Sequence, residues 1–152
     1  MEALRGVFHM RKFAVSAAAL LCAAWAGLAP ARADEIVAYV SISKQTLTVT
    51  VDNMSVYVWP ISTARRGYVT PKGTFKVQSM HKMTYSRLFN NAPMPFTIFY
   101  DGHYGIHGTT DVKKLGQPAS AGCVRLHPEN ARFLFELVRK HGPKSRAVVV
   151  EG

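Results

Sequence analysis

Hydrophobic and polar positions alternate over much of the chain from residue 36 onward. Leu47, Val49 and Val51 take turns with Thr46, Thr48 and Thr50, a period of two that predicts a half-buried strand with β-branched residues on its wet face. Lys44-Gln45 before it and Asp52-Asn53 after it read as turns, and Val56 to Trp59 predicts the next strand, ended by Pro60. Gly67, Pro71 and Gly73 punctuate the following stretch before Thr74 to Gln78 resumes a short strand. Tyr85 to Pro95 has no usable period and holds Asn90, Asn91, Pro93 and Pro95, which predicts a long ordered loop of the kind that often carries function. Phe96 to Tyr100 and Tyr104 to His107 then predict two strands around an Asp101-Gly102 turn.

One segment changes period. Pro128 suits a first helical position and Glu129 the positive end of a helix dipole. Ala131, Leu134, Leu137 and Val138 make one apolar face, and Arg139, Lys140 and His141 precede a Gly142-Pro143 stop. Ala147 to Val150 returns to strand. Short strands joined by turns, with a single clear helix, predict a mostly β, sandwich-like or barrel fold rather than a parallel sheet with crossover helices.

The first 33 residues break this pattern. Arg5, Arg11 and Lys12 precede an apolar run from Phe13 to Leu28, and Ala31-Arg32-Ala33 supplies small residues before Asp34. This is the layout of a secretory signal cleaved before Asp34, leaving residues 34–152 as one domain; the run is too short and too Ala-rich for a spanning helix. Bulky Leu21 argues against a lipoprotein signal at Cys22. The expected location is therefore the periplasm or cell wall, with no membrane span after cleavage.

Composition gains meaning only after that cut. The whole chain carries 19 Lys plus Arg against 9 Asp plus Glu, a net +10. Four of those basic residues and Glu2 lie before Asp34, so the remainder is +7. The basic residues are scattered and no recognition motif accompanies them, which excludes nucleic acid as a partner and favours an anionic wall polymer. The cut also removes Cys22, leaving Cys123 as the one thiol of an exported domain, where it is either an intermolecular link, a buried small hydrophobe or a reactive group.

Cys123 sits in Ser120-Ala121-Gly122-Cys123-Val124-Arg125-Leu126, where small neighbours let a substrate backbone approach and leave main-chain N–H groups able to converge. Arg125 adds a charge that favours thiolate. A nucleophilic thiol needs a base. Of His81, His103, His107, His127 and His141, His107 stands out in Tyr104-Gly105-Ile106-His107-Gly108-Thr109, at a strand end beside a glycine. No Asp or Asn can be assigned as a third member by spacing, and a backbone carbonyl could orient the ring instead. His103, His107 and Cys123 could alternatively be three zinc ligands, but the familiar ligand spacings are absent and no metal or cofactor is expected.

With these residues in view, the chain resembles the L,D-transpeptidase catalytic-domain family of peptidoglycan-remodelling cysteine enzymes. The resemblance rests on Ile106-His107-Gly108-Thr109, on the sixteen-residue step from His107 to Cys123, and on the Ser-x-Gly-Cys-x-Arg run. Thr70-Pro71-Lys72-Gly73-Thr74-Phe75 and Asn91-Ala92-Pro93-Met94-Pro95-Phe96 are similar to the family's proline-glycine turn and its substrate-side loop.

The resemblance implies a sandwich-like fold in which Cys123 is the nucleophile, His107 its proton acceptor and later donor, and the Gly108 carbonyl the group that orients His107. It implies an oxyanion hole from N–H groups around Gly122 and Cys123, support from Ser120 and Arg125, and substrate contacts from Asn91, Met94 and Pro95. Many members carry a histidine just after the serine; here that position is Ala121, which leaves His107 as the base. The implied reaction attacks a stem tetrapeptide of peptidoglycan, releases D-alanine and joins two third residues, without a cofactor and with sensitivity to carbapenems. Water as acceptor would make it an L,D-carboxypeptidase; a lysine of an outer-membrane protein would make it an anchoring enzyme, or a releasing amidase in reverse. A non-catalytic wall-binding module is the remaining alternative.

Overall fold

A computed structural model describes residues 35–141 and 146–152. The expected signal with its Asp34 cleavage point and the Gly142-Pro143 stop lie outside the described residues. Among the described residues, nine strands and one α-helix run in the order β1 (Ile36–Ser41), β2 (Thr46–Val51), β3 (Met54–Pro60), β4 (Gly73–Lys76), β5 (Ser79–Tyr85), β6 (Pro93–Asp101), β7 (Tyr104–Gly108), β8 (Val124–Leu126), α1 (Pro128–His141) and β9 (Arg146–Glu151). They form a five-stranded sheet, β3-β2-β1-β9-β4, and a four-stranded sheet, β5-β6-β7-β8. Most neighbours are antiparallel, as the short turns require; the β1–β9 and β7–β8 pairs are parallel.

Leu47 and Val49 of β2, Ala38 and Val40 of β1, Ile98 and Tyr100 of β6, and Val124 and Leu126 of β8 are buried in one core with Ala131, Leu134, Phe135 and Val138 of α1. Each large apolar side chain among them contributes roughly 1.5–3 kcal/mol by leaving water. The helix face differs from expectation in one detail: Phe135 is buried while Leu137 lies half-buried at its margin. His127 precedes the helix, its Nδ1 accepting the Glu129 N–H at 3.4 Å.

Other boundaries shift for identifiable reasons. Thr46 and Thr48 are half-buried and Thr50 is buried, so the expected wet face of β2 is largely covered. Pro60 belongs to β3, which it can do because β3 is an edge strand. Tyr85 to Pro95 is not one loop: β5 ends at Tyr85, β6 begins at Pro93, and the turn between them uses Asn90 and Asn91 at φ +44° and +54°. The β6–β7 turn falls on Gly102-His103, with Asp101 paired to Tyr104.

Candidate active site

β7 and β8 lie parallel, with Ile106 opposite Val124 and His107 opposite Arg125. Ile106, Val124 and Leu126 point into the core, so the alternation of a strand turns His107, Cys123 and Arg125 to the opposite face. That face lines a cleft of about 830 Å³, which Tyr68, Phe89, Met94 and Tyr104 share. His107 and Cys123, sixteen apart in sequence, thus line one cleft because two short strands pair in register, not because of any local motif.

His107 is buried, and its Nδ1 lies 2.8 Å from the Gly108 carbonyl oxygen. A carbonyl only accepts, so Nδ1 carries the hydrogen and Nε2 keeps its lone pair. Burial pushes the imidazole down to about 4; the Gly108 bond opposes that shift and the Arg125 charge reinforces it. The ring is therefore neutral near pH 7 and able to accept a proton.

The Cys123 thiol donates to the His103 carbonyl at 3.7 Å, and no hydrogen bond joins it to His107 among the described residues. Burial raises the thiol above its ordinary range; the Gly105 N–H and the Arg125 charge both favour thiolate but are outweighed. The expectation that Arg125 favours thiolate holds in direction, and desolvation exceeds it. The resting pair is a neutral thiol beside a neutral imidazole.

The cysteine loop is fastened at Ser120, which is fully buried. Its N–H donates to the Thr63 carbonyl at 2.9 Å, its carbonyl accepts the Arg65 N–H at 2.9 Å, and its Oγ accepts the Gly122 N–H at 3.0 Å. That last bond engages the Gly122 N–H with Ser120 in this structure. The Cys123 N–H makes no hydrogen bond among the described residues and remains open. Gly122 has φ +129°, and a Cβ there would lie 2.5 Å from Tyr104 Cε1 and 2.8 Å from the Val69 oxygen. Only glycine fits. Arg125 is held through its backbone, exchanging N–H···O bonds with Ser62 at 2.9 and 3.0 Å.

The remaining expected residues separate. Met94 is buried and lines the cleft, while Asn91 is exposed in the β5–β6 turn outside the lining. Pro95 sits behind Gly108, where its ring would be 3.0 Å from an added Cβ. Ala121 lines the cleft. His103 is exposed, its ring tilted 34° against that of Tyr104 with centroids 4.2 Å apart. Among the described residues no three His, Cys, Asp or Glu side chains are grouped to hold a metal.

Three contributors escape a reading of the sequence. The Gly105 backbone N–H draws the Cys123 thiol toward thiolate, against burial. Buried Gln45 at φ +51° binds the Thr63 hydroxyl at 2.6 Å and its N–H at 2.9 Å, fixing the segment on which Ser120 rests. Thr70 is buried and bonded to Gly122. The apolar-polar pattern carries no mark of these roles, although Gln45 lies in an expected turn.

Residues 35–150 match the model of the L,D-transpeptidase catalytic domain. The chain is 30% identical over 103 residues to YkuD of Bacillus subtilis strain 168, a protein assigned to the L,D-transpeptidases, covering 65% of this chain and 58% of that protein. Its fold is similar to that of an L,D-transpeptidase from Mycobacterium smegmatis, with a TM-score of 0.70 at 22% identity over 78% of this chain and 59% of the other. It is likewise similar to L,D-transpeptidase 3 of Mycobacterium tuberculosis in complex with a faropenem-derived adduct, with a TM-score of 0.66 at 22% identity over 78% and 61% of the two chains. The chain thus spans about six-tenths of the length of these proteins. Since the family match runs from β1 to β9 and takes in both the His107 and Cys123 segments, the chain belongs to the L,D-transpeptidase catalytic domain family.

Proposed function

We propose that the chain is a cysteine acyltransferase of the cell wall, acting on stem tetrapeptides of peptidoglycan through a Cys123 thioester. The observation that carries this reading is the shared face of β7 and β8, where a neutral His107 with its Nε2 lone pair available and the Cys123 thiol line one cleft. The faropenem-derived adduct named for the M. tuberculosis enzyme is consistent with an acylable site in this fold.

The thiol first leaves the His103 carbonyl and turns to His107. Nε2 takes the thiol proton as sulfur attacks the carbonyl carbon between the third residue of the stem and its terminal D-alanine. The Cys123 N–H stabilises the oxyanion. Collapse breaks the C–N bond, and the imidazolium returns its proton to the departing D-alanine amine. In the second half, His107 removes a proton from the amine of a neighbouring stem, that amine attacks the thioester, and the thiol is regenerated with the proton from Nε2. Starting from a neutral pair suits this proton shuttle, because His107 acts as base and then acid without a permanent thiolate. Arg125, on the same face, suits a substrate carboxylate.

The action requires export, consistent with the signal expected over residues 1–33. Among the described residues no helix is long and apolar enough to cross a membrane. The test is to incubate the purified protein with tetrapeptide muropeptides, with and without an added amine, and to analyse products by mass spectrometry. Dimers that have lost one D-alanine are expected. Loss of D-alanine with water as sole acceptor would redirect the reading to a carboxypeptidase, and the absence of dimer, trimmed monomer and acyl-enzyme would overturn it.

A further inference from the structure

Thr70 is 52 residues from Gly122 in sequence and makes two side-chain hydrogen bonds, one of them to the residue before Cys123. Its side chain is buried, its Oγ1 accepts the Ala64 N–H at 3.0 Å, and the same oxygen lies 2.8 Å from the Gly122 carbonyl oxygen. A hydroxyl has one proton, and since a carbonyl oxygen has none to give, that proton points at Gly122. Gly122 is thereby gripped from both sides, its N–H by Ser120 Oγ at 3.0 Å and its carbonyl by Thr70.

The carbonyl in question belongs to the Gly122–Cys123 peptide. A trans peptide is planar and directs its C=O and N–H to opposite sides, so fixing the oxygen fixes the direction of the Cys123 N–H. Gly122 alone would leave this plane free to swing, because glycine at φ +129° has no side chain to restrict it. With the Gly122 N–H already committed to Ser120, the Cys123 N–H is the donor left open in this pair.

We infer that Thr70 is a positioning residue for the acyl-transfer step: its hydroxyl locks the Gly122–Cys123 peptide plane and so aims the Cys123 N–H at the developing oxyanion. This rests on the reading of Cys123 as nucleophile. Thr70 touches no reacting atom; it acts through a peptide bond. An oxyanion donor held in advance costs nothing to reorient when charge develops, and losing one lowers acyl transfer by about 10²–10³-fold. Loosening the donor costs part of that.

The experiment compares two reactions of the same sulfur in the whole protein. Acylation by a carbapenem passes through an oxyanion; alkylation by iodoacetamide does not. Thr70→Val keeps the shape and removes the hydroxyl, while Thr70→Ser keeps the hydroxyl. Acylation of Thr70→Val is expected to slow by about 10- to 100-fold, with alkylation within about two-fold of wild type and Thr70→Ser close to wild type in both. Unchanged acylation in Thr70→Val overturns the inference, and so does an equal fall in both rates, which would make Thr70 a support of the fold alone. If the valine variant does not fold, Thr70→Ala takes its place: slowed acylation with near-normal alkylation supports the inference, and unchanged acylation or an equal fall in both overturns it. A wild-type protein that is alkylated at Cys123 but neither acylated nor active on tetrapeptide would instead overturn the nucleophile reading, before Thr70 is reached.

Discussion

The Cys123 thiol points at the carbonyl oxygen of His103, 3.7 Å away, and not at the imidazole of His107. Burial also keeps the thiol protonated and the imidazole unprotonated, so the resting site holds no thiolate–imidazolium pair. A consequence is that simple thiol reactivity and acyl transfer should separate with pH. Iodoacetamide needs thiolate, so its rate is expected to be low at pH 7 and to climb about ten-fold per pH unit without a plateau by about pH 9. Carbapenem acylation, assisted by neutral His107, is expected to stay nearly level from about pH 6 to 8 and to fall only as pH approaches 4. Intact-mass measurements of both rates across pH check this. Parallel profiles, or an alkylation plateau below neutral pH, would show a preformed thiolate.

His107 also links pH to stability. In the unfolded chain its imidazole titrates at its ordinary 6.5, whereas in the fold it titrates at about 4. Between those values the unfolded state binds a proton that the folded state refuses. The stability contributed by neutral burial is complete above pH 6.5 and is withdrawn as pH falls toward 4, by about 3 kcal/mol in total. Urea unfolding at about pH 7 and about pH 4.5 should therefore show a larger loss for wild type than for His107→Gln, which has nothing to titrate. Equal losses in the two proteins would place the acid sensitivity elsewhere.

How much of this was legible in the sequence depends on how many residues report on each element. β2 was readable because three Thr–hydrophobe steps repeat within six residues, and α1 because its start residues and apolar face agree. β8 has three residues, too few to show a period, and β5 is exposed along most of its length, so no alternation marks it. Yet β8 is the strand that carries Arg125 and sets Cys123 on the face of His107. The chemistry at Cys123 and His107 could be suspected from residue type and small neighbours. Their support could not, because Thr70 reaches Gly122 across 52 residues and Gln45 reaches Thr63 across 18. Backbone groups supply much of that support, and any sequence has them.

Gly122 should be intolerant of even one added carbon. Gly122→Ala places Cβ 2.5 Å from Tyr104 and 2.8 Å from the Val69 oxygen at a φ of +129°, so it combines a clash with backbone strain. A cost of about 2–4 kcal/mol is expected, a drop in Tm on the order of 10 °C, together with loss of acylation. Gly116→Ala is the control, since its φ is +89° with open space around it, leaving strain without the clash; about 1 kcal/mol is expected there. Calorimetry on both variants checks the difference, and equal shifts would show that strain alone sets the requirement.

Gln45 lies far from Cys123 in sequence but supports the same loop. Its amide donates to the Ile42 carbonyl at 2.7 Å and to the Thr63 hydroxyl at 2.6 Å, and its oxygen accepts the Thr63 N–H at 2.9 Å. The Thr63 carbonyl in turn accepts the Ala119 and Ser120 N–H groups at 3.0 and 2.9 Å, and the neighbouring Ala64 donates to Thr70 at 3.0 Å. Gln45→Met keeps the length and strands a fully buried N–H and hydroxyl, each worth about 1–3 kcal/mol. The expected loss is about 2–4 kcal/mol in urea unfolding. Because the same segment sets Ser120 and Thr70, acylation by a carbapenem should also slow several-fold at a temperature where the variant is still folded, with alkylation of Cys123 little changed. Gln45→Glu sets a buried carboxylate oxygen against the Ile42 carbonyl, so it should be at least as destabilised as the methionine variant. A methionine variant as stable as wild type would mean that water satisfies Thr63 in place of Gln45. Lost stability with unchanged acylation would mean that the cysteine loop holds its geometry without that support.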